Sequence, residues 1–424
     1  MLQIVRNRDL LADRLRRIRD GLDDDLSVVR RILTRVRNEG DDAVRYFTEK
    51  FDRVSIDELR VPAGRLEQVA EALPGSLKKV IKEAGENIRR FHELQKPVGY
   101  SLTQPDGTET AFRWRAIERV GVYVPGGRFP LFSTVLMNVI PAQVAGVPEI
   151  VVCSPPGKEG RPSNEILGTC FLLGVTEVYR VGGVQAIGAL AYGTESMAAV
   201  YKITGPGNKY VAQAKQAVSG HVGIDMTAGP TELIVIADGE TDPRRAAAEL
   251  LSQAEHDPQA FPALLTDSEN LAGEVNKQLS VLIRKLSTRS TAEQSLEKRG
   301  FIFVAGSIEE CVRIANSIAP EHLALMVQDP EPWIDKLTAG AIFVGADSPI
   351  AWGDYWAGPN HTLPTSGKAR IQGPLSVLDF MVPYSVIKAD QQVLRNSGEK
   401  VMELAATEGL SGHAGSIAVR RKND

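Results

Sequence analysis

The chain has 424 residues, room for two or three domains at the usual ~100–200 residues each. Hydrophobic residues make up 43% and charged residues 24%, a balance that excludes a mostly disordered chain. Lys plus Arg number 49 against 53 Asp plus Glu, so the formal net charge of −4 lacks the basic excess of a general nucleic-acid binder.

Residues 1–20 are rich in Arg and Leu, yet Asp9, Asp13 and Asp20 interrupt them, and targeting peptides avoid acids. They read as the first surface helix. Leu26, Val29, Ile32, Leu33 and Val36 then recur at spacings of three and four, and the helical pattern continues to about Lys96. This helical region, 1–107, is expected to pack on the second of two α/β units. No stretch of the chain approaches the ~20 continuous apolar residues of a membrane span.

From 108 to 238 short β-rich runs alternate with helical ones. Strands are expected at 149–153, 177–180, 200–203 and 232–237, with helices around 134–145, 165–173, 184–191 and 209–219. A second series occupies 239–374, with strands at 264–266, 301–304, 323–327 and 341–344 and helices around 242–255, 268–286 and 308–318. Such alternation predicts parallel sheets covered by helices on both faces. The fold class is therefore α/β, with two parallel-sheet units of similar size between helical ends. The tail, 375–424, shows little sheet character, with a helix expected over 390–406, and either packs on its own core or reaches a partner subunit.

The three cysteines, Cys153, Cys170 and Cys311, have no metal-ligand spacing, and an odd, sparse count points to a reducing, cytoplasmic setting. Of the six histidines, His92 sits in a charged helix and His221 in a turn, and both read as surface residues. The other four lie among acids, amides and glycines. Gln253 and His256 share one helix face just before Pro258, where a histidine either caps carbonyls or binds a metal. Asp354 and His361 flank a Gly- and Pro-containing loop that can turn both inward as ligands, or that simply turns on its Asp. Glu321 and His322 place two proton-transfer groups of different intrinsic pKa at a strand end. Glu408 and His413 lie five apart in the tail.

A GxGxxG fingerprint is absent. Glycines instead follow expected strands at 122–127, 180–188 and 204–208, where backbone can approach a pyrophosphate or merely turn. Together Gln253, His256, Asp354 and His413 can supply four N/O metal ligands, leaving Glu321 and His322 as acid and base.

At these segments the sequence resembles the histidinol dehydrogenase family, from about residue 19 to 421. The resemblance is carried by RVGGVQAIGALAYG (180–193), KITGPGNKYV (202–211), GIDMTAGPTEL (223–233), SQAEHDP (252–258), PEHL (320–323) and GDYWAGPNHTLPT (353–365). It implies two incomplete Rossmann-like domains, and a zinc- and NAD-dependent oxidation of L-histidinol to L-histidine through a bound aldehyde. It also implies a homodimer with intertwined tails and shared sites, and no nucleic-acid or membrane partner. Carried over by position, one Zn2+ per subunit would be held by Gln253, His256, Asp354 and His413, with Glu321 and His322 catalytic. Substrate would meet Thr231, Glu408, His322 and the ligand residues, and NAD would meet Tyr123, Gln185 and Asn208. Two departures stand out: Thr231 replaces the family's usual Ser, and 127–132 is bulkier than the small-residue version. A related dehydrogenase acting on another small polar alcohol is the alternative that Thr231 leaves open. A non-catalytic metal- or nucleotide-binding protein would not need the Glu321–His322 pair.

Overall fold

The computed structural model describes residues 2–20, 26–126, 129–227 and 229–421; Gly127 and Arg128 of the bulkier stretch lie outside them. Two parallel sheets organise the chain. The larger has six strands in the spatial order Gln3–Val5, Phe301–Val304, Phe261–Thr266, Glu232–Ala237, His322–Met326 and Ala341–Val344. The smaller has five, in the order Glu177–Tyr179, Glu149–Cys153, Arg119–Tyr123, Lys202–Thr204 and Gly223–Ile224.

These strands read as unbroken apolar runs because helices cover both faces. Leu233, Val235 and Ala237 of the larger sheet enter one core with helices Pro243–Ala254 and Glu269–Leu282. Ile234 and Ile236, pointing the other way, enter a second core against helix Ile308–Ile318. Helix starts follow the local signals: Asp242 accepts from Arg244 N at 2.8 Å with Pro243 in the first turn. The α/β class with helical ends is thus as expected, and the three cysteines are buried and free. No helix among the described residues is long and apolar enough to cross a membrane.

Five placements differ from expectation. Residues 3–5 form an edge strand of the larger sheet rather than part of the first helix, which starts at Arg8 after Asn7 accepts from Asp9 N at 2.7 Å. Most of the 1–107 region packs on the first α/β unit, not the second. Helix Ser27–Asp52 lies on helix Gly183–Tyr192, where a side chain on Gly188 would come within 3.1 Å of Val36, and Leu73 fills the space a side chain on Gly168 would need. Strand Glu232–Ala237 falls inside 108–238 but pairs in the larger sheet. Finally, the tail contributes strand Met381–Lys388 to a three-stranded antiparallel ribbon with Glu109–Ala116 and Tyr100–Thr103. Pro383 is tolerated there because its strand is at the ribbon's edge. His92 is also buried rather than at the surface, with Nδ1 2.7 Å from Gln95 Oε1.

One buried ion pair anchors the end of the smaller sheet. Lys215, 1% exposed, bonds the Asp225 carboxylate and donates to Gly205 O at 2.9 Å. Asp225 accepts from Gly205 N at 2.8 Å and Met226 N at 2.6 Å. Lys215→Met leaves that carboxylate buried and uncompensated, and should cost about 3–5 kcal/mol of unfolding free energy in urea. Adding Asp225→Asn should recover more than half of the loss; no recovery would mean the lysine acts through packing alone.

Candidate active site

The smaller sheet runs from Arg119–Tyr123 through Glu149–Cys153 to Glu177–Tyr179 on one side, then returns to Lys202–Thr204 on the other. That reversal leaves a crevice beyond the carboxyl ends of 119–123 and 202–204, where open α/β sheets bind ligands. Tyr123 ends one of these strands, and Asn208 caps helix Lys209–Val218 beyond the other, accepting from Tyr210 N at 3.0 Å and Val211 N at 3.2 Å. Gly205, at φ +108°, closes on Tyr123 so tightly that a Cβ would lie 2.0 Å from its carbonyl oxygen. Gln185 is 1% exposed, yet neither its Oε1 nor its Nε2 has a hydrogen-bond partner. A buried amide left in that state is costly unless a ligand completes it.

From the carboxyl end of Gly223–Ile224 the connection through 225–231 leads straight to the amino end of Glu232–Ala237. Seven residues span at most about 25 Å, so the amino edge of the larger sheet is brought to the crevice of the smaller one. Glu321 and His322 stand at that amino edge, where His322 pairs with Leu233 and Ala341. Both are buried. Glu321 Oε2 accepts from Thr231 Oγ1 at 2.6 Å and Glu232 N at 3.0 Å, and Gln253 Nε2 donates in turn to Thr231 Oγ1. His322 Nδ1 lies 3.2 Å from Glu232 O and 3.5 Å from Glu321 Oε2. Its Nε2 is buried without a hydrogen-bond partner, 3.8 Å from Asp354 Oδ1.

Burial by itself would discharge both groups, but each favours the other's charge. Burial pushes the imidazole down while the Glu321 and Asp354 carboxylates push it up more, to about 9. Burial raises Glu321, and the His322 charge with the Thr231 and Glu232 donors brings it below the usual value. Each group's charged form is therefore favoured by the other. His322, Asp354 and His361 line a cavity of about 470 Å³ that also meets Phe343 and Trp352. His361 Nδ1 donates to Asp354 O at 3.0 Å, and burial holds its pKa down.

The sequence pattern of the histidinol dehydrogenase family matches residues 15–421. This chain belongs to the histidinol dehydrogenase family. It is 45% identical over 405 residues to the histidinol dehydrogenase of Halalkalibacterium halodurans, covering 95% of this chain and 96% of that one. It is likewise 45% identical over 419 residues to that of Bacillus subtilis, covering 97% of each. The crystal structure of histidinol dehydrogenase from Elizabethkingia anophelis superposes with a TM-score of 0.89 at 37% identity, over 99% of this chain and 98% of that one. The chain is accordingly an oxidoreductase.

Of the residues that the histidinol dehydrogenase resemblance singles out, one chain brings together Thr231, Gln253, Glu321, His322 and Asp354. His256 is exposed in the turn after helix 243–254. Glu408 and His413 are exposed on the tail helices Gln391–Thr407 and Ser411–Ala418, which pack on each other. Among the described residues no three His, Cys, Asp or Glu side chains converge as a metal site.

The sequence reading passed over Glu232, although it adjoins Thr231 in the GPTEL stretch. Its Oε1 accepts from Ser366 N at 3.1 Å and its Oε2 is buried without a partner. Burial, with the neighbouring Glu321 charge, pushes its carboxyl up to about 7 from an ordinary 4.5. The folded chain therefore holds this proton more tightly than the unfolded one. That contribution is complete below 4.5 and lost as pH rises through about 7. Glu232→Gln should thus stabilise the protein at pH 8 and leave it near wild type at pH 4, by urea unfolding at both. An equal effect at the two pH values would show that folding leaves the Glu232 pKa unchanged.

Proposed function

We propose that this chain oxidises L-histidinol to L-histidine through a bound L-histidinaldehyde, reducing two NAD, as a zinc-dependent homodimer of the histidine biosynthetic route. The observation that carries the reading is the buried Glu321–His322 pair, with an unpartnered imidazole nitrogen beside Asp354 at a cavity on the amino edge of the larger sheet. The family membership supplies the substrate, and the unpartnered Gln185 amide at the crevice of the smaller sheet supports a nucleotide cofactor.

The donors suit a borderline cation: an amide oxygen, imidazole nitrogens and a carboxylate. Gln253, His256 and Asp354 would come from one chain and His413 from a second copy, whose Glu408 would reach the same substrate. That sharing accounts for tail helices that leave Leu404 68% and Val419 82% exposed in the isolated chain. Zinc bound there would hold the substrate's imidazole and amine, fix the alcohol carbon against the nicotinamide, and oppose the carboxylates that keep His322 protonated.

In the first step His322 takes the hydroxyl proton as hydride leaves the alcohol carbon for NAD, giving the aldehyde. Glu321, aligned by Thr231 and the Glu232 amide, then takes a proton from water as it adds to the aldehyde, while His322 returns its proton to the former carbonyl oxygen, giving the hydrate and a free imidazole. His322 then takes one hydroxyl proton of the hydrate while the second hydride leaves, giving the acid, which loses its proton to solvent. The carbonyl of Glu232 holds the imidazole in the tautomer that presents Nε2. Tyr123, Gln185 and Asn208 would hold the dinucleotide.

Purified, zinc-loaded protein should form two NADH per L-histidinol consumed, lose turnover on chelation and regain it with zinc. Turnover of another small amino alcohol but not histidinol would make Thr231 the residue that changed the substrate. His322→Gln should lower both hydride transfers by about 10²–10⁴-fold. Glu321→Gln should slow the aldehyde step far more than the alcohol step in single-turnover NADH traces, and equal slowing would remove Glu321 from water activation. Mixing inactive His322→Gln and His413→Ala chains should restore activity if the sites are shared.

A further inference from the structure

Helix Ser27–Asp52 ends on a carboxylate at the carboxyl end of the smaller sheet. Arg53 follows at φ 59° and turns the chain back along the sheet's edge strand. There Arg180 N donates to Leu59 O at 2.9 Å and Val61 N donates to Val178 O at 2.8 Å. Counted back along that register, Asp52 lies beyond the carboxyl end of Glu177–Tyr179, on the side where Tyr123 and Gln185 meet. Gly183 N donates to Tyr123 Oη at 3.2 Å, and a side chain on Gly183 would lie 3.0 Å from Gln185 Oε1.

Asp52 Oδ2 is buried without a hydrogen-bond partner. Burial pushes its carboxyl up to about 6, and its charge adds to the burial that raises the Tyr123 phenol. A buried carboxylate oxygen with no donor destabilises the fold unless something donates to it. Across Tyr123 and Gly183 from it stands the buried Gln185 amide, with a free donor and a free acceptor. A vicinal diol matches this set, because its hydroxyls donate to the carboxylate and exchange hydrogen bonds with the amide.

We infer that Asp52, at the same end of the sheet as Tyr123 and Gln185, receives the ribose hydroxyls at the adenosine end of the dinucleotide and excludes a cofactor that carries a 2′-phosphate. The inference rests on the nicotinamide-dinucleotide reading above. The end of the cofactor follows from the sheet. Asp52 lies off the Glu177–Tyr179 edge, whereas the connection to Thr231 and the catalytic pair leaves from the opposite edge, Gly223–Ile224. The ribose it meets is therefore the one remote from the reacting ring. A carboxylate there accepts from two hydroxyls and repels a phosphate, so it favours one cofactor and rejects the other.

The test is kcat/KM for NAD and for NADP in wild type, Asp52→Asn and Asp52→Ser, each checked for an unchanged thermal unfolding transition. Wild type should prefer NAD. Both variants should raise KM for NAD about tenfold or more, the loss of charge-assisted hydrogen bonds, with kcat at saturation little changed. The NADP-to-NAD ratio of kcat/KM should rise by at least the same factor. A merely structural residue would lower both nucleotides alike, so an unchanged ratio in either folded variant overturns the inference and leaves the NAD reading standing. Wild type that reduces neither nucleotide overturns the NAD reading, and the inference falls with it.

Discussion

A single carboxylate oxygen, Oε2 of Glu321, ties the two halves of this molecule together. It accepts from the Thr231 hydroxyl and the Glu232 amide, both at the end of the connection leaving the smaller sheet, and it lies 3.5 Å from the His322 imidazole on its own strand. The segment that ends one nucleotide-crevice sheet is thereby held against the first residues of the other. Charge makes the tie strong, because in a buried setting each partner's ionised form is sustained by the other.

The location of the buried Glu321–His322 pair departs from the usual α/β plan. Ligands commonly sit at the carboxyl ends of parallel strands, and the smaller sheet conforms. The larger sheet offers its amino edge instead, because the connection 225–231 from the smaller sheet enters directly at the first residue of Glu232–Ala237. One connecting segment therefore links the crevice of the smaller sheet to the Glu321–His322 pair. The buried Lys215–Asp225 pair holds the start of that segment by fixing Gly205 at one end and Met226 at the other.

The single chain leaves the residues proposed as zinc donors divided. Gln253 and Asp354 adjoin the pair, while His413 rides on a tail that joins the body through an antiparallel ribbon. The proposed metal site across copies would make assembly and activity one equilibrium, since neither set of donors would suffice alone.

Local pattern decided much of what was legible beforehand. Strands 149–153, 232–237, 301–304 and 341–344 and helix 308–318 fall where their apolar runs and flanking caps put them, and the motifs around Gln253, Glu321 and His322 carry the family resemblance. What the sequence left open depends on contacts distant along the chain. The Gln3–Val5 strand exists only because Phe301–Phe303 offers an edge, and Met381–Lys388 only because Glu109–Ala116 pairs with it. His92 reads as a surface residue until the Asn360 loop folds over it. Composition, periodicity and caps act over a few residues and belong to the sequence. Burial, ionisation and the meeting of groups hundreds of positions apart belong to the tertiary structure, because only packing sets the dielectric and the distances on which they depend.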